Sequence, residues 1–457
     1  MQKLLFILIL CLASLAGCTP SPLSDSWLPP RALGRDIGTF KPPRLSEMNV
    51  PAEEAIAANQ PRTLVEPTGE LRLGDALTLA LLHNPDLATV AYDVRASEAR
   101  RIQAGLPPNP SIGIMLNQFG GQDELRGFRG AETSLRFSQL IETAGKLTRR
   151  VELARADQRL AAWDYETKRL ALFAQATQRF VEVLAAQERV ALARESLTLA
   201  EQTLTIIDDR VKQGVAAPVD RDKAKVRFST ERIALARAGR SLASSKHQLA
   251  ATWGSASPKF ASVIGDLTPS PALPSLESLA SAAGDHPDIA RWDDEITQRR
   301  AALALARAKR IPDVTASAGV MRMNDVDETV FLAELMIPLP LFDRNQGGIL
   351  EAVYSLGKAK QQQAAAKATL QAALARAYHE VAASQEEAAI LRDETLPSSK
   401  ASLDASQDAF RNGKVTYLDV LDAQRTYVEV KTQLVDAQAA AHSGAAMIEG
   451  LTGRALK

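Results

Sequence analysis

"KQGVAAPVDRDKA", residues Lys212–Ala224, and "RNGKVTYLDVLDA", residues Arg411–Ala423, are two versions of one segment. Aligned, they place Gly214 on Gly413, Asp220 on Asp419 and Ala224 on Ala423. Outward from this pair, "NPDLA" (Asn84–Ala88) returns as "HPDIA" (His286–Ala290), and at the same offset Pro110 matches Pro312. A period this long exceeds that of any solenoid repeat, so the chain carries two copies of one large structural unit. Each copy reads as helix, two strands, very long helix, turn, long helix.

The long helices set the fold class. From about Ala144 to Lys212 the interruptions are weak, and roughly seventy residues at 1.5 Å rise make about 100 Å of helix. Val190, Ala193, Leu197, Ala200, Leu204, Ile207 and Val211 step by three and four, a heptad seam. Val420, Ala423, Tyr427, Val430, Leu434, Ala437 and Ala441 repeat the stepping on the return helix. Scarce aromatics and abundant Ala, Leu, Gln, Glu, Lys and Arg fit coiled coils. One antiparallel hairpin per repeat follows, turning at Gly214 and Gly413, where a helix end calls for a left-handed residue.

The strands are short and alternating. "SIGIMLNQF" sets Ile112, Ile114 and Leu116 against Gly113, Met115 and Asn117; "ETSLRFSQL" sets Leu135 and Phe137 against Ser134, Arg136 and Ser138. Residues 313–323 and 329–341 repeat the pair. Strands that enter lipid must close, because an open edge leaves backbone groups unsatisfied. Four strands are too few, since the smallest membrane barrels have about eight. Several protomers must then share a barrel, and three would supply twelve strands.

The N-terminus gives the compartment. In "MQKLLFILILCLASLAGC", Lys3 precedes an apolar stretch from Leu4 to Leu12 that is too short for a spanning helix. The ending Leu15-Ala16-Gly17-Cys18 resembles a bacterial lipobox, making Cys18 a lipid-bearing mature N-terminus. Thr19 stands where an Asp would favour the inner membrane, so an outer-membrane destination is expected. Cys11 leaves with the signal, which removes any disulfide framework or Cys-based metal site. The expected organisation is a signal peptide over 1–17, a Pro-rich lipid-anchored arm over 18–70, a first repeat over 71–254, a linker over 255–275 and a second repeat over 276–457.

Lys and Arg equal Asp and Glu, 54 each, with no basic block, which argues against nucleic acid as partner. An enzyme finds little support. "YHEVAA" (Tyr378–Ala383) places His379-Glu380 on a helix, but Ala383 stands where a zinc-protease helix needs its second His. With five His, no useful Cys and no phosphate-cradling or nucleophile-elbow loop, no catalytic residue, metal site or cofactor is expected. A lipid-anchored periplasmic adaptor or coiled-coil scaffold is the rival reading; it predicts a single hairpin flanked by soluble β domains, whereas this chain has two hairpins, each preceded by a strand pair.

Beside the second seam runs a polar row: Asp419, Asp422, Thr426, Glu429, Gln433 and Asp436. The equivalent row of the first hairpin, Asp220, Lys223, Arg227, Thr230, Ala234 and Arg237, is mixed to basic. A charged outer helix face is ordinary, and Thr416-x-x-Asp419 also reads as a capping box. Capping does not explain Asp422. In a trimer of hairpins the row nearest the axis would bring six carboxylates from Asp419 and Asp422 to one end of a water-filled lumen, with Glu429 and Asp436 farther along it; such a ring attracts cations.

The duplication, "HNPDLATVAYDVRASEARRIQAGLPPNP" and the tip "FRNGKVTYLDVLDAQR" resemble the TolC-like outer-membrane efflux family from Leu71 to Gly453. "PLPLFDRNQGG" (Pro338–Gly348) and "QLIETAGKLTRRVELA" (Gln139–Ala154) are most similar to its cobalt-zinc-cadmium branch, lipoproteins of heavy-metal RND systems. The resemblance implies a mainly α protomer with a small β part, whose homotrimer forms a twelve-stranded barrel continued by a twelve-helix periplasmic tunnel. It implies a passive duct that docks on a periplasmic adaptor and an inner-membrane RND pump. It also implies that Asp419 and Asp422 form the periplasmic gate and that Gly214 and Gly413 mark adaptor-contacting tips. Relatives often carry a basic residue two positions after the second tip glycine; Val415 stands there, so no closing bond is expected from it.

Overall fold

A computed structural model of the chain describes residues 27–42, 64–123 and 126–456. Cys18 and the expected signal peptide lie outside the described residues. In chain order the elements are β1 (Gly69–Arg72), α1 (Leu73–His83), α2 (Pro85–Ala104), β2 (Ser111–Asn117), β3 (Glu132–Ile141), α3 (Lys146–Lys212), α4 (Pro218–Ala251), β4 (Phe260–Ile264), α5 (Leu276–Ala283), α6 (Pro287–Ala308), β5 (Val314–Met323), β6 (Glu328–Met336), α7 (Gln346–Ile390), α8 (Leu396–Arg411) and α9 (Tyr417–Thr452). They gather into two compact units that cut across the repeats: one draws on residues 93–163 and 291–364, the other on 29–92, 164–290 and 365–457.

The first unit holds an antiparallel sheet in the order β2-β3-β5-β6, so the two strand pairs of the repeats meet at β3 and β5. Cross-strand partners share a face. The register sets Ile114, Leu135, Val320 and Phe331 in one row, with Ile112, Phe137, Ala318 and Ala333 beside it. That face is apolar and open: Ile114 is 77% and Phe331 75% exposed. On the opposite face Arg136 reaches Glu334 two strands away, across Gly319, and the Ser138 and Ser317 hydroxyls lie 2.9 Å apart. A Cβ on Gly319 would stand 2.3 Å from the Leu135 carbonyl, so only glycine fits the crossing. The expected last strand, to residue 341, stops at Met336, because Pro338 and Pro340 have no N–H for a ladder.

The second unit is built around Trp253, buried with Leu71, Phe180, Leu184, Leu249, Phe260 and Val263. Here the structure adds two strands to the four expected. β1 and β4 form a separate parallel pair, Leu71 opposite Val263, so the end of the arm and the linker each contribute a strand. Two strands of four and five residues joined across nearly the whole first repeat leave no hairpin signal.

The repeated Asn-Pro and His-Pro pairs break what read as single helices. Proline holds its predecessor extended and opens the next helix at its first position. The preceding side chain then caps that helix: Asn84 Oδ1 accepts the Leu87 amide at 2.7 Å, and His286 Nδ1 accepts the Asp288 amide at 3.2 Å. With Nδ1 so engaged, His286 carries its proton on Nε2, toward the Gly450 carbonyl. Burial pushes the His286 imidazolium below the ordinary histidine range, against the opposing pull of Asp288. A depressed folded value means that the unfolded chain binds the proton first. The His286 contribution is therefore complete above the ordinary histidine value of 6.5 and is lost as pH falls below it. Thermal midpoints in detergent between pH 8 and 5 should show an acid-side decline that is shallower in His286→Gln. Burial raises the carboxyl of Glu449, which contributes in the opposite direction, so the difference between the two proteins carries the result.

The N-terminal segment 29–42, within the expected Pro-rich arm, is bound to this unit. Arg169 and Glu166, with side chains 1% and 3% exposed, pair at 2.7 Å inside it. Arg169 donates to the carbonyls of Leu33 (2.9 Å), Gly34 and Arg31, while Glu166 accepts the Arg31 amide at 2.6 Å. The Leu33 amide completes the strap on the Gly453 carbonyl.

The hairpins are α3–α4 and α7–α8–α9. On α9 the expected seam is buried throughout, with Leu434 half-buried. On α3 the expected seam is only partly right: Val190, Ala200 and Ile207 are buried, but so are Leu192, Ser196 and Thr203. The second long helix was expected unbroken. It widens into a π-helical turn over Leu391–Thr395, with the Leu396 amide bonded to the Leu391 carbonyl. Pro397 follows directly and has no N–H for the α-helical ladder, which accounts for the defect.

Candidate functional site

The two tips close in the same way. Gly214 sits at φ +76° and Gly413 at φ +71°. The residue after each bonds five back, Val215 to Arg210 and Lys414 to Ala409, both at 2.9 Å, which makes paired Schellman closures. A Cβ on Gly214 would meet nothing within 4 Å, so backbone sign and not space selects the glycine.

From the second tip α9 starts at a capping box. Asp419 Oδ2 accepts both the amide and the hydroxyl of Thr416 at 2.7 Å. Those bonds, the hydroxyl first, hold the Asp419 carboxyl below the usual range, so it stays ionised. Asp422 and Glu429 are exposed and have no side-chain partner among the described residues. Asp436, expected in the same open row, is instead gripped by Arg189 of the first hairpin at 3.0 and 2.6 Å. The basic row of the first hairpin is answered locally, Asp220 facing Lys223 at 3.7 Å and Arg227 holding Glu231 at 2.7 Å.

Several bonds join α3 to the second hairpin that no sequence pattern announced. Glu195 takes Lys431 at 2.7 Å and faces the Tyr427 hydroxyl at 3.4 Å. Gln424 donates to Thr203 at 2.9 Å in the buried seam, which accounts for Thr203 there, whereas the buried Ser196 hydroxyl has no partner among the described residues. At the tip itself Arg210 donates to the Phe410 carbonyl at 2.8 Å and lies 4.8 Å over the Phe410 ring. Ile207, Phe410, Tyr417 and Val420 form the cluster beneath it, with Val415 packed against them. Val415 makes a packing contact; the polar tie comes from Arg210 on the other hairpin.

Among the described residues no group of three or more His, Cys, Asp or Glu side chains is placed to hold a metal ion. No described helix is long and apolar enough to cross a membrane, which says nothing of the sheet. The arrangement offers a sheet with one apolar face and two glycine-closed hairpins, the second bearing the capping Asp419 and the exposed Asp422 and Glu429.

The cobalt-zinc-cadmium resistance protein CzcC of Cupriavidus metallidurans is 32% identical over 389 residues, 85% of this chain and 91% of its own length. The nickel-cobalt-cadmium resistance protein NccC of Alcaligenes xylosoxydans xylosoxydans is 25% identical over 310 residues, 65% of this chain and 68% of its own. Among solved structures, the outer membrane protein VceC of Vibrio cholerae shares the fold at a TM-score of 0.69 and 19% identity, over 84% of this chain and 97% of its own. The family model described as outer membrane efflux protein matches residues 76–255 and 279–454, most of both repeats. This chain therefore belongs to the outer membrane efflux protein family.

Proposed function

We propose that the protein is the outer-membrane exit duct of a tripartite RND efflux system, working as a homotrimer and passing heavy-metal cations. The observation that carries this is the two-faced sheet, with an open apolar face on one side and the Arg136, Glu334 and serine side chains on the other, whose outer strands β2 and β6 have no neighbour among the described residues. In lipid those edges need partners, and three copies give twelve strands. The cargo follows from CzcC and NccC, whose names state cobalt, zinc, nickel and cadmium resistance. A periplasmic adaptor would engage the tips around Gly214 and Gly413, an inner-membrane RND pump would supply the driving force, and lipid on Cys18 would add a second anchor.

Asp419 and Asp422 form the gate ring in this reading, with Glu429 behind them. Three copies of two exposed acids one helical turn apart concentrate negative charge where hairpin ends converge. Asp436 contributes less field, being paired with Arg189. Planar-bilayer recordings of the purified protein should show a cation-selective channel blocked by divalent ions. Replacing both Asp419 and Asp422 by Ala should carry selectivity toward that of an uncharged pore and relieve the block. Unchanged selectivity and block would return both acids to an ordinary solvated face, and absence of any channel would remove the duct itself.

A further inference from the structure

The polar face of the sheet carries an unusual set of side chains. Each of the methionines of β2, β5 and β6, Met115, Met321, Met323 and Met336, lies on that face, and β3 has none. The register puts Met115, Ser134 and Met321 in one row, and Glu132, Met323 and Glu328 in the next. Met115 and Met321 are two strand spacings apart, about 10 Å, and Met321 and Met323 about 7 Å apart along β5. Long unbranched thioether chains can close such gaps. Ser134, between the first two, is 5% exposed in a sheet that is otherwise largely open, which marks a covered spot on this face.

Hydrophobicity alone does not account for the choice. The opposite face carries Ile, Leu, Phe and Val but no Met, whereas the face bearing Arg136, Glu334 and the serines holds all four of these thioethers beside Val330 and Leu332. A thioether is a neutral, polarisable ligand that selects soft monovalent d10 ions, Cu(I) and Ag(I), over Zn(II) and Co(II), which suit imidazole and carboxylate. The carboxylates of Glu132 and Glu328, flanking Met323 in its row, supply the countercharge.

We propose that Met115, Met321 and Met323 form a soft-cation site on the sheet, a weak and exchangeable stepping point for monovalent copper-like ions. The proposal rests on the reading that this face lines the channel, and it widens the cargo to soft monovalent metal. Weak binding suits a duct, since conduction needs ions to enter and also to leave.

The test uses the full-length protein in chloride-free nitrate buffer with Ag+ as probe. Potassium conductance in planar bilayers should be reduced by Ag+ in the wild type, and the triple change Met115→Leu, Met321→Leu, Met323→Leu should need at least about tenfold more Ag+ for the same effect. Leucine keeps the side-chain volume, so basal conductance serves as the folding check. Met336→Leu, at the far end of the sheet, should leave the Ag+ response as in the wild type. Methyl NMR of 13C-methionine protein in detergent should show Ag+, but not Zn2+, shifting the three clustered resonances. A conducting wild type indifferent to Ag+, or equal loss in Met336→Leu, overturns the site. A protein that binds Ag+ at these methyls without conducting overturns the duct reading instead.

Discussion

Replacing Arg210 by Ala is expected to raise the open-to-closed ratio of the tips by about ten- to a hundredfold, the equivalent of a charge-assisted hydrogen bond worth about 1.5–3 kcal/mol. Arg210 belongs to α3, yet its Nη1 donates to the Phe410 carbonyl at 2.8 Å and reaches that of Arg411 at 3.4 Å, at the C-terminal end of α8. A cation there meets the negative end of the helix dipole, and it also stacks over Phe410. The buried Nε has no partner among the described residues, which offsets part of the gain and sets the expected value toward tenfold. Arg210→Lys keeps the charge but loses the planar stack, so it should fall between. Single-channel records in bilayers would show longer and more frequent openings with cation selectivity retained, because Asp419 and Asp422 are untouched. Unaltered closed times in Arg210→Ala would mean that this tie takes no part in closure.

Arg169→Ala should destabilise the second unit by about 3–5 kcal/mol, the usual cost of stripping one partner from a buried ion pair. Glu166 would be left inside with the Arg31 amide still donating to it, and the carbonyls of Leu33, Gly34 and Arg31 would lose the Arg169 guanidinium. The strap should then leave its place. Hydrogen exchange at the Leu33 amide, bonded to the Gly453 carbonyl, should rise together with a fall in the thermal midpoint. The pair Glu166→Leu with Arg169→Met should recover most of the midpoint while the strap still exchanges quickly, since an apolar pair removes the stranded charge without restoring the donors. Exchange protected in all three proteins would show that the strap is held by packing alone.

These two residues were invisible as functional candidates in the sequence. Arg210 sits in a stretch of ordinary helix charges, "DDRVK", and Arg169 in "ETKRLA"; nothing local separates them from the exposed arginines around them. Gly214, Gly413, Asp419 and Asp422 were legible because each belongs to a repeated or patterned motif. A tip glycine follows from the left-handed helix end, and a capping acid from its spacing to Thr416. Asp436 shows the boundary within one row: its place on the helix face followed from three- and four-residue steps, but its pairing with Arg189 did not.

The sequence by itself determined the duplication, the hairpins with their turning points, the alternating strands and the family. All of these are written in local periodicity or in likeness between the two halves of the chain. The tertiary structure decided the rest: the β1–β4 pair, the strap on Arg169 and Glu166, the polar contacts in the α3 seam, the π-helical turn before Pro397 and the Arg210 tie. Apart from the turn, each joins residues more than a hundred positions apart. Periodicity fixes which face of a helix or strand a side chain occupies, but not which distant element meets that face. That choice rests on the packing of the whole chain.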